Sequence, residues 1–403
     1  MQNLRDGHVM DRRQQNIVLF VLGGLSAIGP FAVDMYLPGF SAISRDLKTT
    51  ATLVGFTLTS YTLGIAIGML VAGPVLDRYG RKRPITIGLL LYVVATAGCV
   101  LAPSIYVLIG LRFFLAFGCC AGMVGANAIV RDLFSGKEIA RALSIMMMIF
   151  GVAPIIAPAA GGMIVAAAGW RAIFLVLAVI GLVIVIAVVI LLPETKERDA
   201  SISLRPREVR RGYVEVMKEH QFVVYASVAG AGSGTLFSYI TGSPFVFIDL
   251  FGFSARQYGW IFGTNALAIV VAGQINRLLL RRFSPAGILF AITGIQSAIA
   301  LFLLAGTWMG LIDKFATLAL VACYVFCFGF ILTNGTALCL QPFSRNAGSA
   351  SALSGSFLMV TGTVASALVS YLHDGTAFPM TLIMCLSAVS GLILTGTEAV
   401  RTR

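Results

Sequence analysis

Two charged side chains stand inside long apolar runs of the sequence, where ionisable residues usually mark function. Asp34, in the stretch FAVDMYLPGF, is the one acidic residue clearly placed within a predicted membrane span, and Arg112 is the one basic residue so placed. A charge at the centre of a membrane helix costs about 2.5–3.5 kcal/mol on insertion scales, so both side chains are expected to face a bundle interior. We infer a common interior cavity.

Asp34 and Arg112 permit two interpretations. In one, Asp34 carries a proton: burial disfavours its carboxylate, whereas Arg112 or a bound cationic substrate favours it. Protonation and substrate binding then compete, as the exchange of a proton for a substrate requires. In the other, the two side chains form a buried structural ion pair, and breaking that pair would also be damaging.

The composition indicates a membrane protein. Of 403 residues, 58% are hydrophobic and 11% are charged, whereas soluble proteins carry about 25% charged residues. The net charge of +12 is spread among short loops, so the positive-inside rule explains it better than a nucleic-acid surface does. The seven cysteines lie in apolar runs without a CxxC and the three histidines are scattered, so we predict no metal site and no disulfide framework.

Twelve runs are long enough to cross about 30 Å of hydrocarbon. They lie near residues 16–39, 51–76, 84–102, 104–130, 141–167, 170–192, 219–248, 256–280, 285–307, 313–341, 348–372 and 377–397. The first run is too long for a signal-peptide core and is expected to be a retained helix. The predicted fold is an all-α membrane protein of twelve transmembrane helices in two pseudo-symmetric six-helix bundles.

The charged segment 194–218 divides the predicted helices into two sets. We expect an N-terminal bundle (1–193), a cytoplasmic connector (194–218) and a C-terminal bundle (219–403). An internal repeat supports this division, because GPVLDRYGRKR and GQINRLLLRRF occupy equivalent loops of the two bundles. With the N-terminus inside, 23 of the 29 Lys and Arg fall on the inner side, which predicts both termini in the cytoplasm. Parallel repeats of this kind place the substrate site between the bundles.

Several motifs resemble those of one transporter family. GPVLDRYGRKR (73–83) resembles the loop motif of the major facilitator superfamily, and APIIAPAAGG (153–162) resembles the fifth-helix motif of its drug antiporters, with Ala157 in place of a glycine. Other segments are similar to the bicyclomycin-resistance (Bcr/CflA) branch of drug:proton antiporters: DMYLP (34–38), LRFFLAFG (111–118), NAIVRD (127–132), SYITGSPFVFI (238–248) and GSASALSGSF (348–357). The resemblance covers nearly the whole chain.

The resemblance implies roles for both motifs. The loop would latch the two bundles on the cytoplasmic side when the transporter faces outward, through Gly73, Asp77, Arg78, Gly80, Arg81 and Lys82. A charged loop that merely obeys the positive-inside rule is the plainer alternative. On the fifth helix, Pro154 and Pro158 remove backbone donors and bend the helix, while Gly161 and Gly162 let a neighbour pack tightly. That helix either seals and rocks during transport or serves packing alone.

The family's central cavity implies substrate contacts from aromatic and amide side chains. The candidates are Tyr36, Tyr61, Asn127, Tyr239, Phe245, Asn265 and Asn334. Such groups suit a site that accepts varied amphiphilic molecules. For each of them, a packing or lipid-facing position is the alternative. The run MMM at 146–148 is expected to fill the core and not to face a drug.

The expected function is proton-coupled efflux of drug-like molecules across the bacterial cytoplasmic (inner) membrane by alternating access. Asp34 would be the proton carrier and Arg112 its partner in coupling, with the proton as coupling ion and no other cofactor. The alternative is an uptake symporter or facilitator for a small metabolite. An intramembrane enzyme would need a nucleophile with its base, a metal cluster or paired acids within spans, and the sequence displays none of these. The expected partners are a small-molecule substrate and membrane lipid, with no nucleic acid and a monomeric chain.

Overall fold

A computed structural model describes residues 12–199, 204–343 and 347–401. Three predicted inner-side arginines, Arg5, Arg345 and Arg403, lie outside the described residues. Every regular element in the described ranges is helical, and twelve of these helices are long and apolar enough to cross a membrane. The predicted all-α fold with twelve spans is therefore confirmed.

The helices follow one another with short connections. They are α1 (Arg12–Asp34), α2 (Phe40–Asp46), α3 (Ala51–Tyr79), α4 (Lys82–Val100), α5 (Ile105–Leu133), α6 (Lys137–Ala168), α7 (Trp170–Leu191), α8 (Pro206–Met217), α9 (His220–Pro244), α10 (Ala255–Leu279), α11 (Pro285–Trp308), α12 (Lys314–Leu340), α13 (Ala347–Tyr371) and α14 (Phe378–Arg401). A π-helical turn, Phe245–Leu250, extends α9.

The first span differs from the predicted continuous helix over 16–39. Helix α1 ends at Asp34, a 3-10 turn follows at Leu37–Gly39, and the short helix α2 completes the crossing. The cause is Pro38, which has no N–H to donate to the carbonyl of Asp34, so α-helical pairing cannot continue through this point. Asp34 therefore occupies the last turn of a helix and not its middle.

The spans alternate in direction, which gives the molecule two distinct faces. One face carries the helix ends at Arg12 and Arg401, the loop at 80–81 and the connector helix α8; we call it the basic side, and the other the opposite side. We call α1–α7 the first half and α9–α14 the second half. The two halves meet where α3 packs against α13 and where α6 packs against α10. The boundaries of the two bundles stay a prediction.

Glycines set the spacing of helices inside the first half. A Cβ atom on Gly64 of α3 would lie 2.5 Å from the carbonyl oxygen of Phe113 on α5, and one on Gly88 of α4 would lie 2.6 Å from the carbonyl oxygen of Gly118. Such distances leave no room for a side chain, so α5 lies backbone against backbone with both neighbours. This close packing holds Arg112 of α5 beside the end of α1.

Candidate functional site

A cavity of about 610 Å³ lies between the two halves and reaches toward the basic side. Residues of α1, α3, α5, α6, α8 and α13 line it, among them Ser26, Met69, Asp77, Met123, Asn127, Met146, Met147, Phe150, Tyr213 and Ser351. Four methionines (Met69, Met123, Met146 and Met147) and Phe150 contribute apolar surface to this wall, and the charged groups lie toward the basic side. Flexible methionine side chains adapt to ligands of different shape, so the wall suits varied apolar molecules.

The predicted substrate residues and the methionine run differ in how they lie toward this cavity. Of the seven predicted substrate contacts, all of them in the described residues, Asn127 lines the cavity and the other six do not. The methionine run at 146–148 was expected to fill the core. Met146 does so, at 3% exposure, and also borders the cavity, whereas Met147 borders the cavity and is 63% exposed. The available signal was helical spacing, since Met123 lies one turn from Asn127 on α5, and Met146 lies one turn from Phe150 on α6.

Asp34 lies deeper than the cavity. Its side chain is 5% exposed, and it does not belong to the cavity wall. Ser26, which does line the cavity, precedes it by eight residues, or about 12 Å along α1. In this conformation Asp34 and Arg112 are both buried and lie outside the wall of this cavity, so a common interior cavity for the two stays a prediction.

Polar groups of the second half lie in the neighbourhood of the Asp34 carboxyl group. Tyr239 of α9 and Tyr258 of α10 lie within electrostatic range of this carboxyl group. Asn265 donates a hydrogen bond of 2.8 Å to the Tyr239 hydroxyl, and Ser243 shares one of 2.8 Å with Tyr258. Asp34 itself forms no salt bridge or hydrogen bond with a described residue. The first half thus contributes the acid, and the second half contributes hydroxyl and amide groups.

Arg112 is fully buried and is held by aromatic rings. Its guanidinium carbon lies 4.4 Å from the centroid of Tyr36 and 4.5 Å from that of Tyr61. The same group donates a hydrogen bond of 2.8 Å from Nη1 to the carbonyl oxygen of Ala32. Ala32 lies in the last turn of α1, where carbonyl groups lack helical donors and the helix dipole favours a cation. Arg112 therefore caps the helix that ends at Asp34.

The structure does not join Arg112 to Asp34. Neither a hydrogen bond nor a salt bridge links these two described side chains, so the alternative of a structural ion pair is not what holds them. The Nε and Nη2 atoms of Arg112 are buried and have no hydrogen-bond partner among the described residues. Unpaired buried donors are costly, and these two remain available to an acceptor that enters the site.

The other predicted substrate residues have structural partners in this conformation. Tyr36 shares a hydrogen bond of 2.7 Å with Thr57, and Tyr61 donates one of 2.9 Å to the carbonyl of Gly29. Asn334 donates a hydrogen bond of 2.8 Å to Asn276, which also belongs to the second half. Phe245 packs its ring 5.6 Å from that of Phe40.

The opposite side is closed by backbone contacts at small residues. A Cβ on Gly161 of α6 would lie 2.1 Å from the carbonyl oxygen of Met35, and one on Gly162 would lie 2.5 Å from that of Ala255. From α10, a Cβ on Gly259 would lie 2.6 Å from the carbonyl oxygen of Pro158. The predicted motif of the fifth span therefore lies on α6, in its close contact with α10 on this side. Pro154 and Pro158 lie inside α6, next to this contact.

Hydroxyl groups join α3 to α13 along the same closed region. The hydroxyl groups of Thr59 and Ser366 share a hydrogen bond of 3.0 Å, and the Thr363 hydroxyl donates one of 2.9 Å to that of Thr62. Ser356 donates a hydrogen bond of 2.9 Å to the carbonyl of Ala66. These bonds give the two helices complementary surfaces without charges, which suits an interface that opens and closes.

The loop motif forms its contacts within the first half and the connector. Arg81 bridges Asp77 and Asp132, each at 3.0 Å, and Lys196 binds Asp77 at 2.9 Å. The Glu194 carboxylate accepts a hydrogen bond of 2.6 Å from the backbone N–H of Arg81.

Other members of the motif shape the same loop. Gly80 has a φ of +86°, a conformation that favours glycine. Lys82 donates a hydrogen bond to the carbonyl of Val189 at 2.8 Å, and the Arg78 guanidinium lies 5.8 Å from the ring of Tyr79. Across the cavity, Asp77 and Gly73 face the first turns of α13.

Comparison with known proteins identifies the family. A sequence model described as Major Facilitator Superfamily matches residues 20–367. The chain belongs to this superfamily. It is a transporter with a small-molecule substrate and a multi-pass protein of the bacterial inner membrane.

Similar proteins include one that is named for bicyclomycin resistance. The chain is 32% identical to the bicyclomycin resistance protein homolog of Haemophilus influenzae, over 91% of this chain and 92% of the relative. It is 35% identical to the uncharacterized MFS-type transporter YdgK of Bacillus subtilis, over 94% of each chain. It is 30% identical to the multidrug resistance protein MdtL of a Shewanella species, over 92% of this chain and 96% of the relative. The predicted family is therefore confirmed.

Solved structures of other transporters share the fold. A bacterial homolog of the human lysosomal transporter Spinster, crystallised in an inward-facing and occupied conformation, matches with a TM-score of 0.73 at 15% identity, over 98% of each chain. A D-xylose–proton symporter matches with a TM-score of 0.70 at 14% identity, over 93% of this chain and 96% of that one. At these identities the likeness concerns the fold alone.

Proposed function

We propose that this transporter exports drug-like small molecules in exchange for protons, with Asp34 as the proton carrier. The observation that carries the proposal is the buried Asp34 carboxyl group, which lies at the junction of the two halves without an ionic partner. The names of the relatives, bicyclomycin resistance and multidrug resistance, support drugs as the substrate class. The basic side is then the cytoplasmic side, in accord with the positive-inside rule.

The cavity wall supports entry of an apolar or amphiphilic substrate from the cytoplasm. Met123, Met146 and Met147 present adaptable apolar surface, and Asn127 and Ser26 add isolated polar groups. Sites that accept varied ligands combine a largely apolar wall with few polar contacts. Two carboxylates, Asp77 and Glu208, lie at the mouth together with Arg81 and Arg131. We propose that a substrate meets these charges before it reaches the wall.

Proton exchange follows from the position of Asp34 beyond the cavity. A buried carboxylate without a partner is costly, so we propose that the carboxyl group is protonated in the conformation described here. A substrate that moves deeper from Ser26 separates the helices over Asp34 and lets its proton leave to the cytoplasm. When the halves then open on the opposite side, Asp34 takes a proton from outside as the substrate departs.

Arg112 acts in this scheme as a positioning residue. Its hydrogen bond to the Ala32 carbonyl and its contacts with the rings of Tyr36 and Tyr61 hold the end of α1, two residues before Asp34. Its unpaired Nε and Nη2 atoms can donate hydrogen bonds to the Asp34 carboxylate once that group is ionised. Movement of one proton across about 100 mV supplies roughly 2.3 kcal/mol, which holds a substrate gradient of roughly fortyfold.

The loop motif supports alternating access at the basic side. Asp77 faces the N-terminal turns of α13 across the cavity, and a helix N-terminus attracts a carboxylate. We propose that closure of this side brings Asp77 onto that terminus and so forms the latch. Arg81 and Lys196 then lose part of their contact with Asp77. The seal between α6 and α10 then opens on the opposite side.

Substrate-induced proton release tests the proposal. Detergent-purified protein in weak buffer near neutral pH is mixed with bicyclomycin or a phenicol while a pH dye is read, for wild type, Asp34→Asn and the control Asp249→Asn. Asp249 is an exposed acid on the opposite side. We expect release from wild type and the control, and none from folded Asp34→Asn that still binds the drug.

Other outcomes of this experiment contradict the proposal. Equal release from Asp34→Asn, or no release from wild type despite binding, rules out Asp34 as the carrier. Proton uptake on substrate addition indicates symport, the alternative function, because a symporter binds proton and substrate together. Gel filtration of each variant establishes that the protein is folded.

A further inference from the structure

A second cavity opens on the lipid-facing surface of the first half, apart from the transport cavity. It has a volume of about 400 Å³ and lies between α3, α4 and α5. The two cavities have no lining residue in common. We call this cavity the lateral groove. Its outer walls include Val71 and Ile87, which are 42% and 68% exposed.

Small residues form the floor of the lateral groove. Gly88 and Gly118 touch through their backbones, because a Cβ on either residue would lie 2.6 Å from the carbonyl oxygen of the other. Gly68 and Ala121 continue this floor on either side. Helices that approach so closely leave a trough between their larger side chains, and the trough is apolar along the helices.

The length of the lateral groove matches one leaflet of a membrane. Along α3 it runs from Gly68 to Tyr79, eleven residues or about 16 Å. The hydrocarbon core of a bilayer is about 30 Å thick, so the groove extends from the basic-side interface to about the midplane. An acyl chain of a basic-side lipid has this reach.

The basic end of the groove carries cations without acidic partners. Arg83 and Arg198 line it, both exposed, and neither forms a salt bridge with a described residue. The Arg198 guanidinium lies 5.4 Å from the ring centroid of Tyr79, and this contact holds the guanidinium beside the groove. Nearby Arg81, in contrast, is neutralised by Asp77 and Asp132. The positive charge at this end is therefore available to an anion.

We propose that the lateral groove binds an anionic phospholipid of the basic-side leaflet, with its phosphate between Arg83 and Arg198. The Tyr79 ring lies at the level of the headgroup, where tyrosine is enriched in membrane proteins. One acyl chain lies in the trough over Gly88 and Gly118. Basic pockets between helices at this depth bind anionic headgroups. A bound lipid ties the connector residue Arg198 to α4 of the first half, independently of what the transporter carries.

Native mass spectrometry of the full chain in detergent tests the proposal. The protein is titrated with phosphatidylglycerol and with phosphatidylcholine of the same acyl chains. We expect wild type to retain phosphatidylglycerol in preference. R83Q/R198Q should bind it roughly thirtyfold more weakly, since each basic residue near an anionic headgroup contributes about fivefold.

Two further variants separate the groove from general surface attraction. R281Q/R282Q removes two exposed arginines from the equivalent loop of the second half and should leave binding unchanged. V75W keeps the arginines but fills the trough, and it should weaken binding of phosphatidylglycerol at least tenfold. If R83Q/R198Q does not survive gel filtration, R198Q alone, in the exposed connector, should weaken binding about fivefold.

Several outcomes overturn the proposal. Equal retention of the two lipids removes the role of the arginines, and an equal loss in R281Q/R282Q assigns the effect to surface charge. Unchanged binding by V75W moves the lipid out of the groove. Glycerol phosphate that binds as tightly as the lipid reduces the site to an anion site. A lipid-free dimer that V75W dissociates assigns the groove to a second copy of the chain.

Discussion

Tyr213 of the connector helix donates a hydrogen bond of 2.9 Å to the carbonyl oxygen of Leu70 on α3. That carbonyl is the one left without a helical donor by Pro74, which has no N–H. On the same short helix α8, Val216 is buried against residues of the second half, including Phe222 and Ala350. Helix α8 thus spans the mouth of the transport cavity and is attached to both halves.

We predict that Tyr213→Phe lowers the stability of the purified protein by about 1 kcal/mol, because it leaves the Leu70 carbonyl unpaired. In the background Pro74→Ala, which restores the helical donor, the same substitution should cost measurably less. Thermal unfolding in detergent of the four proteins in this double-mutant cycle provides the test. Equal losses in both backgrounds would show that Tyr213 does not serve the carbonyl that Pro74 leaves free.

The position of Arg112 between two rings predicts that charge alone does not replace it. Arg112→Lys should lower stability by about 2 kcal/mol, since lysine loses the stacking on Tyr36 and Tyr61 and holds its hydration more strongly. Arg131→Lys, an exposed residue of the same helix, should change stability by less than about 0.5 kcal/mol. The measurement is the unfolding midpoint of each variant. If Arg112→Lys unfolds like wild type, the ring contacts contribute nothing to stability.

The contact between α6 and α10 predicts that alanine substitution at two glycines of α10 affects the conformational equilibrium differently. Gly259→Ala places a Cβ 2.6 Å from the carbonyl oxygen of Pro158, whereas a Cβ on Gly273 meets nothing within 4 Å. Gly259→Ala should therefore shift the protein away from the conformation closed on the opposite side. Gly273→Ala should leave that equilibrium unchanged and add slightly to helix stability.

Distances between spin labels measure this equilibrium. Labels at Lys48 and Lys314, both exposed on the opposite side and in different halves, report its opening, with the exposed Cys323 replaced by serine. We expect a longer distance population in Gly259→Ala than in Gly273→Ala. Identical distributions would mean that this contact does not hold the opposite side closed.

Two adjacent methionines predict a contrast in drug binding. Met147 lines the transport cavity and Met148 does not, although the two are 63% and 64% exposed. Met147→Ala should weaken binding of an apolar drug about fivefold, which corresponds to roughly 1 kcal/mol of lost contact. Met148→Ala should bind like wild type. Equilibrium binding with a phenicol measures both, and equal affinities would remove Met147 from the substrate site.

Features that depend on neighbouring residues along the chain were predictable. Twenty consecutive apolar residues define a span whatever surrounds them, so the twelve helices follow from hydropathy. Pro38 favours a break after Asp34, but Pro30, Pro154 and Pro158 lie inside continuous helices, so proline by itself did not locate this break. The family also follows from local motifs, because GPVLDRYGRKR and APIIAPAAGG are contiguous stretches.

The site depended on how helices are rotated against one another. Asp34 and Arg112 are isolated charges in apolar runs, a pattern that suggests partners, yet Arg112 binds the carbonyl of Ala32 and the rings of Tyr36 and Tyr61. The methionine run illustrates the same limit, since one step along a helix turns a side chain by about 100° and decides between cavity and lipid.

The sequence by itself therefore determined the helices, their number and the family, because those properties reside in contiguous residues. The tertiary structure decided which side chains share a cavity, which side is closed and that Asp34 lies sealed beyond the cavity. These relations arise between helices far apart in the chain, where glycine-mediated contacts such as Gly259 with Pro158 set the distance and the conformation adopted sets the access.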